Sequence, residues 1–216
     1  MDEEIQLISE NTKKEKLKNF FLNNKKKIAS AIVGLLITVF AIFLYTDFDK
    51  RKSLERAYNF NQIIAKFINK EITSKEAEQF LIKIIEQNDR TYSPLALNFI
   101  IDNEIILDKN RINNLYDIVL NNSKIEKEIK NLIIYKKALF NSDYIDENNL
   151  INILNPIINS ESIWSSHALY LLGEYFYSRN ERQKSKEFFN KIINLESSNP
   201  SIKTKAQNKL NRYLSD

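Results

Sequence analysis

The 216-residue sequence has no cysteine, two glycines, three prolines, one histidine and one tryptophan. Without cysteine there is no disulfide, thiol nucleophile, thiolate metal ligand or lipoprotein modification, so any exported domain must fold on packing alone. Two glycines are too few for a Gly-rich phosphate loop or for the turns of a sheet, which points to an almost entirely helical chain. The lone histidine, His167, lacks the convergent ligands of a metal site, and no spacing sets it against a nucleophile or carboxylate. These absences lead us to expect no cofactor, no metal and no enzymatic activity.

One long apolar run is present. Residues 28–45 (IASAIVGLLITVFAIFLY) are uncharged and follow Lys25-Lys26-Lys27 directly. At a rise of about 1.5 Å per residue the run is roughly 27 Å long as a helix, close to the roughly 30 Å hydrocarbon core of a bilayer. Eleven of its residues are Leu, Ile, Val or Phe. Each contributes about −0.3 to −0.6 kcal/mol to insertion near a helix centre. No small-x-small cleavage site follows it, and the 27 residues before it are long and mixed in charge for a signal n-region. We read an uncleaved transmembrane anchor, with 1–27 as a basic cytoplasmic tail and 46–216 as one exported domain.

Orientation follows from the flanks. Residues 13–27 hold seven lysines, whereas residues 46–60 hold four basic side chains. The more basic flank stays inside. This predicts a cytoplasmic N-terminus and a periplasmic 46–216 in a bacterial inner membrane, the bacterial source being suggested by the Lys-, Asn- and Ile-heavy usage. The exported part is nearly neutral, so most of a nucleic-acid binder's concentrated basic face is missing.

Beyond the anchor, apolar-periodic stretches alternate with short polar breaks. Helices are expected at 49–70, 73–87, 93–107, 109–121, 124–140, 147–159, 161–178, 181–194 and 201–214. Thr73-Ser74-Lys75-Glu76 carries a capping-box pattern, Ser93-Pro94 places proline at a first helical position, Glu161 or Ser162 can open the seventh helix, and Pro156 predicts a kink or early end.

The clearest unit is 166–198. Counting from Ser166, Leu169, Leu172, Gly173 and Phe176 take positions 4, 7, 8 and 11, while Ser185, Phe189 and Ile192 take 20, 24 and 27. This resembles a tetratricopeptide repeat, with large residues at 4, 7, 11 and 24 and small ones at 8 and 20. The small pair Gly173 and Ser185 stands where two helices would cross closest. Ala65 and Ala77 repeat the spacing upstream, whereas the two middle units lack clear small residues. The expected fold is all-α: a single transmembrane helix followed by a right-handed tetratricopeptide-like α-solenoid of about four helix pairs, with 201–214 as a polar cap.

In this repeat type, positions 2, 5, 9 and 12 of the first helix line the concave surface. Here these are His167, Tyr170, Glu174 and Tyr177, a mix of aromatic, acidic and donor groups suited to a protein-binding groove. The competing reading has both tyrosines simply packing on a neighbouring helix. Trp164 is read as packing between repeats.

The whole layout resembles the YfgM family. It combines acidic Asp2-Glu3-Glu4, a Lys-rich amphipathic stretch at 14–21, an anchor after three lysines, and then helix pairs. That family is an ancillary subunit of the bacterial SecYEG translocon, related in its repeats to the division coordinator CpoB. The resemblance lies in layout and transfers no functional residue. It implies a role in periplasmic chaperoning, with the translocon, a PpiD-like membrane-anchored chaperone and secreted client chains as partners. The alternative is an anchored scaffold for another envelope complex, in cell division or cell-wall synthesis.

Overall fold

A chain this poor in glycine must close its helices without the usual residue. The computed structural model describes residues 2–213, with side chains from Asn24 to Arg212 apart from those of Ile28, Ala31 and Asp49. The side chains at 2–4 and 14–21, which carry part of the family resemblance, lie outside that set. Among the described residues there are nine α-helices and no strand. They are α1 (Asp2–Ile68), α2 (Ser74–Glu86), α3 (Tyr92–Asp102), α4 (Lys109–Leu120), α5 (Lys127–Asn141), α6 (Glu147–Ile158), α7 (Ser165–Ser178), α8 (Arg182–Asn194) and α9 (Pro200–Tyr213).

The chain divides into two compact units, residues 1–55 and 56–216. The first consists of α1 up to Glu55. Its apolar run is long and apolar enough to cross a membrane, and none of that stretch is buried. Ile32, Leu36, Phe40 and Phe43 are each more than half exposed. The hydroxyl of Thr38 donates to the Gly34 carbonyl at 2.9 Å. That bond satisfies the hydroxyl inside its own helix, as a lipid environment requires.

In the second unit the helix ends explain the boundaries. Thr73 forms the expected capping box: its hydroxyl accepts from the Glu76 N–H, and the Glu76 carboxylate accepts from the Thr73 N–H at 2.8 Å. Asp108 and Asp146 cap α4 and α6 in the same way, accepting from N–H groups of the first turn. At the C-terminal ends Lys70, Glu104 and Asn180 adopt left-handed φ of 60°, 50° and 62°. The following N–H groups reach carbonyls five residues back, Glu71 to Lys66 at 2.8 Å, Ile105 to Ile100 at 3.0 Å and Glu181 to Phe176 at 3.0 Å. These are Schellman ends built without glycine.

Three expectations shift. The helix expected to reach 107 ends at Asp102, because Glu104 turns left-handed. The seventh helix begins at Ser165, since Ser162 is used elsewhere: its hydroxyl donates to Glu128 at 2.8 Å and accepts the Trp164 N–H at 3.1 Å. Pro94 is the third residue of α3, and Pro156 sits in the last turn of α6, which ends two residues later.

Packing in this unit is periodic. Each even-numbered helix buries an i, i+4, i+7 stripe: Ala77-Leu81-Ile84, Ile112-Tyr116-Val119, Leu150-Leu154-Ile157 and Ser185-Phe189-Ile192. The stripes begin 35, 38 and 35 positions apart. Polar links recur at similar separations. Arg111 pairs with Glu78. Asn122 Nδ2 donates to the Asn88 carbonyl at 2.8 Å, Lys136 to Asn98 at 2.9 Å, Lys184 to Glu147 at 2.7 Å and Lys209 to Glu174 at 3.0 Å. The apolar core forms three clusters that succeed one another along the chain, from Phe60 to Ile133, from Ala138 to Phe176 and from Leu169 to Ala206.

At the α7–α8 crossing the Phe189 ring lies over Gly173. A Cβ there would meet ring carbons at 2.6–2.9 Å, and the Ser185 hydroxyl donates to the Gly173 carbonyl at 2.8 Å. Gly173→Ala should therefore destabilise the second unit by about 1–3 kcal/mol through overpacking. Glu104→Gly should stabilise it by about 0.5–1 kcal/mol, since relief of the left-handed strain exceeds the added chain entropy. Urea unfolding followed by far-ultraviolet circular dichroism reads both; a neutral Gly173→Ala would remove the close-crossing account.

Candidate binding face on α7

The four residues expected to line a groove, His167, Tyr170, Glu174 and Tyr177, lie half-buried along one stripe of α7. Their i, i+3, i+7, i+10 spacing places them together on a helix. Adjacent helices join them into two groups. At the N-terminal end of α7, His167 meets the Trp164 ring at 5.1 Å and the Tyr135 ring of α5 at 6.0 Å, while Tyr135 and Trp164 stack at 6.0 Å. Trp164 thus bridges α5 and α7. Burial holds the His167 imidazole below its ordinary pKa; a backbone bond to Ile163 opposes this, and the positive charge of Lys205 adds to it.

The second group is polar. Tyr170 packs on Phe189 of α8, ring centroids 5.3 Å apart, and the Glu174 carboxylate lies close enough to raise the pKa of its hydroxyl. Glu174 is ion-paired with Lys209 of α9 at 2.9 Å, and the Lys209 ammonium stands 4.8 Å from the Tyr177 ring centroid. Glu174 is therefore already neutralised within the molecule. The face offers aromatic surface with polar edges, the composition of protein-recognition sites. Tyr170 packs on α8, the contact the competing reading expects of it.

The small-residue positions divide. Gly173, Ser185 and Ala77 are buried, whereas Ala65 is exposed on α1. In the middle of the domain, Ala138 is fully buried twelve positions before Leu150, as Gly173 is before Ser185. Sequence reading passed over Ala138, because Leu150 is large where a second small residue was sought. It also took Lys209 for a cap residue and did not bring Tyr135 to this face. Both needed the third dimension, although the 35-residue step from Glu174 to Lys209 was a usable signal.

Comparison with family models, with curated proteins and with solved structures finds no match to this chain. The face is read on its own chemistry.

Burial, then the Glu174 charge and hydrogen bond, push the Tyr170 phenol up to about 12 from its ordinary 10.0. The folded state then binds its proton more tightly than the unfolded chain. The resulting stability is fully present below pH 10 and is lost as the pH rises toward 12. Tyr170→Phe should flatten part of the fall in stability over that window, measured by urea unfolding at stepped pH. An unchanged slope would show that Tyr170 titrates as an ordinary exposed phenol.

Proposed function

We propose that this is a non-enzymatic inner-membrane protein, held by the apolar stretch of α1, whose remaining helix pairs stack as a right-handed tetratricopeptide-like solenoid and bind other proteins. The N-terminal tail is cytoplasmic and residues 46–216 are periplasmic. Recurrence carries the solenoid: buried i, i+4, i+7 stripes return every 35–38 positions, and polar links bridge the same intervals. One helix pair cannot cover its own apolar face, and stacking pairs does so. The half-buried aromatic face of α7 supports binding over catalysis, since Glu174 is committed to Lys209 and His167 to two rings.

The specific form we favour is a YfgM-like ancillary subunit of the SecYEG translocon, assisting a PpiD-like chaperone and secreted chains. Its support is the layout: an acidic then basic tail, one anchor, and a helical repeat region beyond it. A membrane-anchored scaffold for division or wall-synthesis proteins would use the same face and is the outcome that competes with it.

Two measurements test the reading. The absence of cysteine makes single-cysteine labelling clean. Asp143→Cys should react with a membrane-impermeant maleimide in intact spheroplasts, and Thr12→Cys only after lysis; the reverse pattern rejects the orientation. Photocrosslinking in native membranes from position 177 should capture translocon subunits, the chaperone or secreted chains. Capture of division or wall-synthesis proteins would transfer the function to the scaffold. Tyr170→Ala with Tyr177→Ala should lower the captured fraction at least fivefold; undiminished capture, read from position 174, would remove the α7 face from the site.

A further inference from the structure

The first helix pair of the second unit carries a groove. It measures about 470 Å³ and runs between the end of α1 and α2. Ile63, Ile72 and Ile84 form its apolar floor, and Phe80 stands 45% exposed at its lip. Lys66 and Lys83 flank it from opposite helices, and neither has a carboxylate partner among the described residues. The Glu76 carboxylate at its edge is turned into the capping box with Thr73.

The packing of the unit says what shape fits there. The opposite side of α1 and α2 is covered by α3, through Phe60 on Tyr92, Phe67 on Phe99 and Ser93 donating to the end of α2. Each later pair receives a further helix, and the last is closed by α9, which buries Ile202 and Ala206. Among the described residues the groove is lined by α1, α2 and their flanking residues Ile72 and Gln87 alone.

The geometry points to this groove as a docking site for an amphipathic helix of a partner protein, with apolar residues at i, i+3/i+4 and i+7 and acidic residues on its flanks. Apolar floor, exposed aromatic lip and a lysine on each rim, Lys83 with its ammonium 5.9 Å from the Phe80 ring centroid, match that chemistry. The site is separate from the α7 face and does not depend on the translocon reading.

The test uses the full-length chain in phosphatidylcholine nanodiscs with benzoylphenylalanine in place of Phe80. Two labelled 16-residue helical peptides share the same leucine stripe; one is flanked by glutamates, the other by lysines. The proposal expects saturable crosslinking from position 80, at least tenfold more efficient for the glutamate peptide. Lys66→Glu with Lys83→Glu, both exposed, should invert that preference while leaving the circular dichroism unchanged. A photo-residue at exposed Leu139 controls for peptide held only by lipid. Equal yields from the two peptides, equal yields from positions 80 and 139, no crosslink at all, or crosslinking chiefly to a second copy of the chain would each overturn it. Failure here with successful capture from position 177 would leave the α7 reading standing.

Discussion

Amphipathic helix pairs have a shortage of cover. When two short helices pack, each still presents apolar residues on the side away from its partner, and burying them requires a third helix laid across the seam. In the second unit neighbouring helices meet it: α3 packs on α2 and, through Tyr92 and Phe99, on Phe60 and Phe67 of α1, and α9 packs on α7 and α8. The evenly spaced stripes from Ala77 to Ile192 are its signature, and so is a core divided into three successive clusters. Everything else in the unit, including the half-buried stripe on α7, takes its place from this stacking.

The polar links follow from the same step. Side chains on equivalent helices come within reach at separations near one repeat, so a lysine one repeat after a carboxylate finds it. Lys184 meets Glu147 and Lys209 meets Glu174 in this manner. Pairs at such exposure contribute little stability individually. Their effect is on register, since sliding one pair along the next would separate them together. Asn113 and Asn141 act similarly between α4 and α5, each amide donating to the other at 2.8–2.9 Å.

Most helices were legible because apolar periodicity and capping chemistry coincide in this chain, as at Thr73 and Asp146. Boundaries failed where the deciding residue carried no compositional mark. Glu104 gives no sign that it will turn left-handed, and Ser162 looks like an ordinary cap until Glu128, 34 residues earlier, claims its hydroxyl. The α7 stripe was legible because a helix fixes which residues share a face. Its neighbours were not, since Tyr135 and Lys209 arrive by packing between helices. Ala65 shows the limit most plainly: spacing marked it, with Ala77, as a small residue at a helix crossing, yet only Ala77 is buried and Ala65 is exposed.

The first and last helices of the second unit are therefore covered differently. α9 closes the last pair with two buried apolar residues and turns Lys203, Lys205 and Gln207 outward. At the other end the floor of the α1–α2 groove is apolar and Phe80 is left at the edge, where a residue chosen only for solubility would be polar. A terminal face with no function is the easiest part of a repeat array to make hydrophilic, because its outer positions answer to no packing constraint. This one keeps isoleucines, a phenylalanine and two lysines without a carboxylate partner among the described residues, the composition a packing constraint from outside would leave.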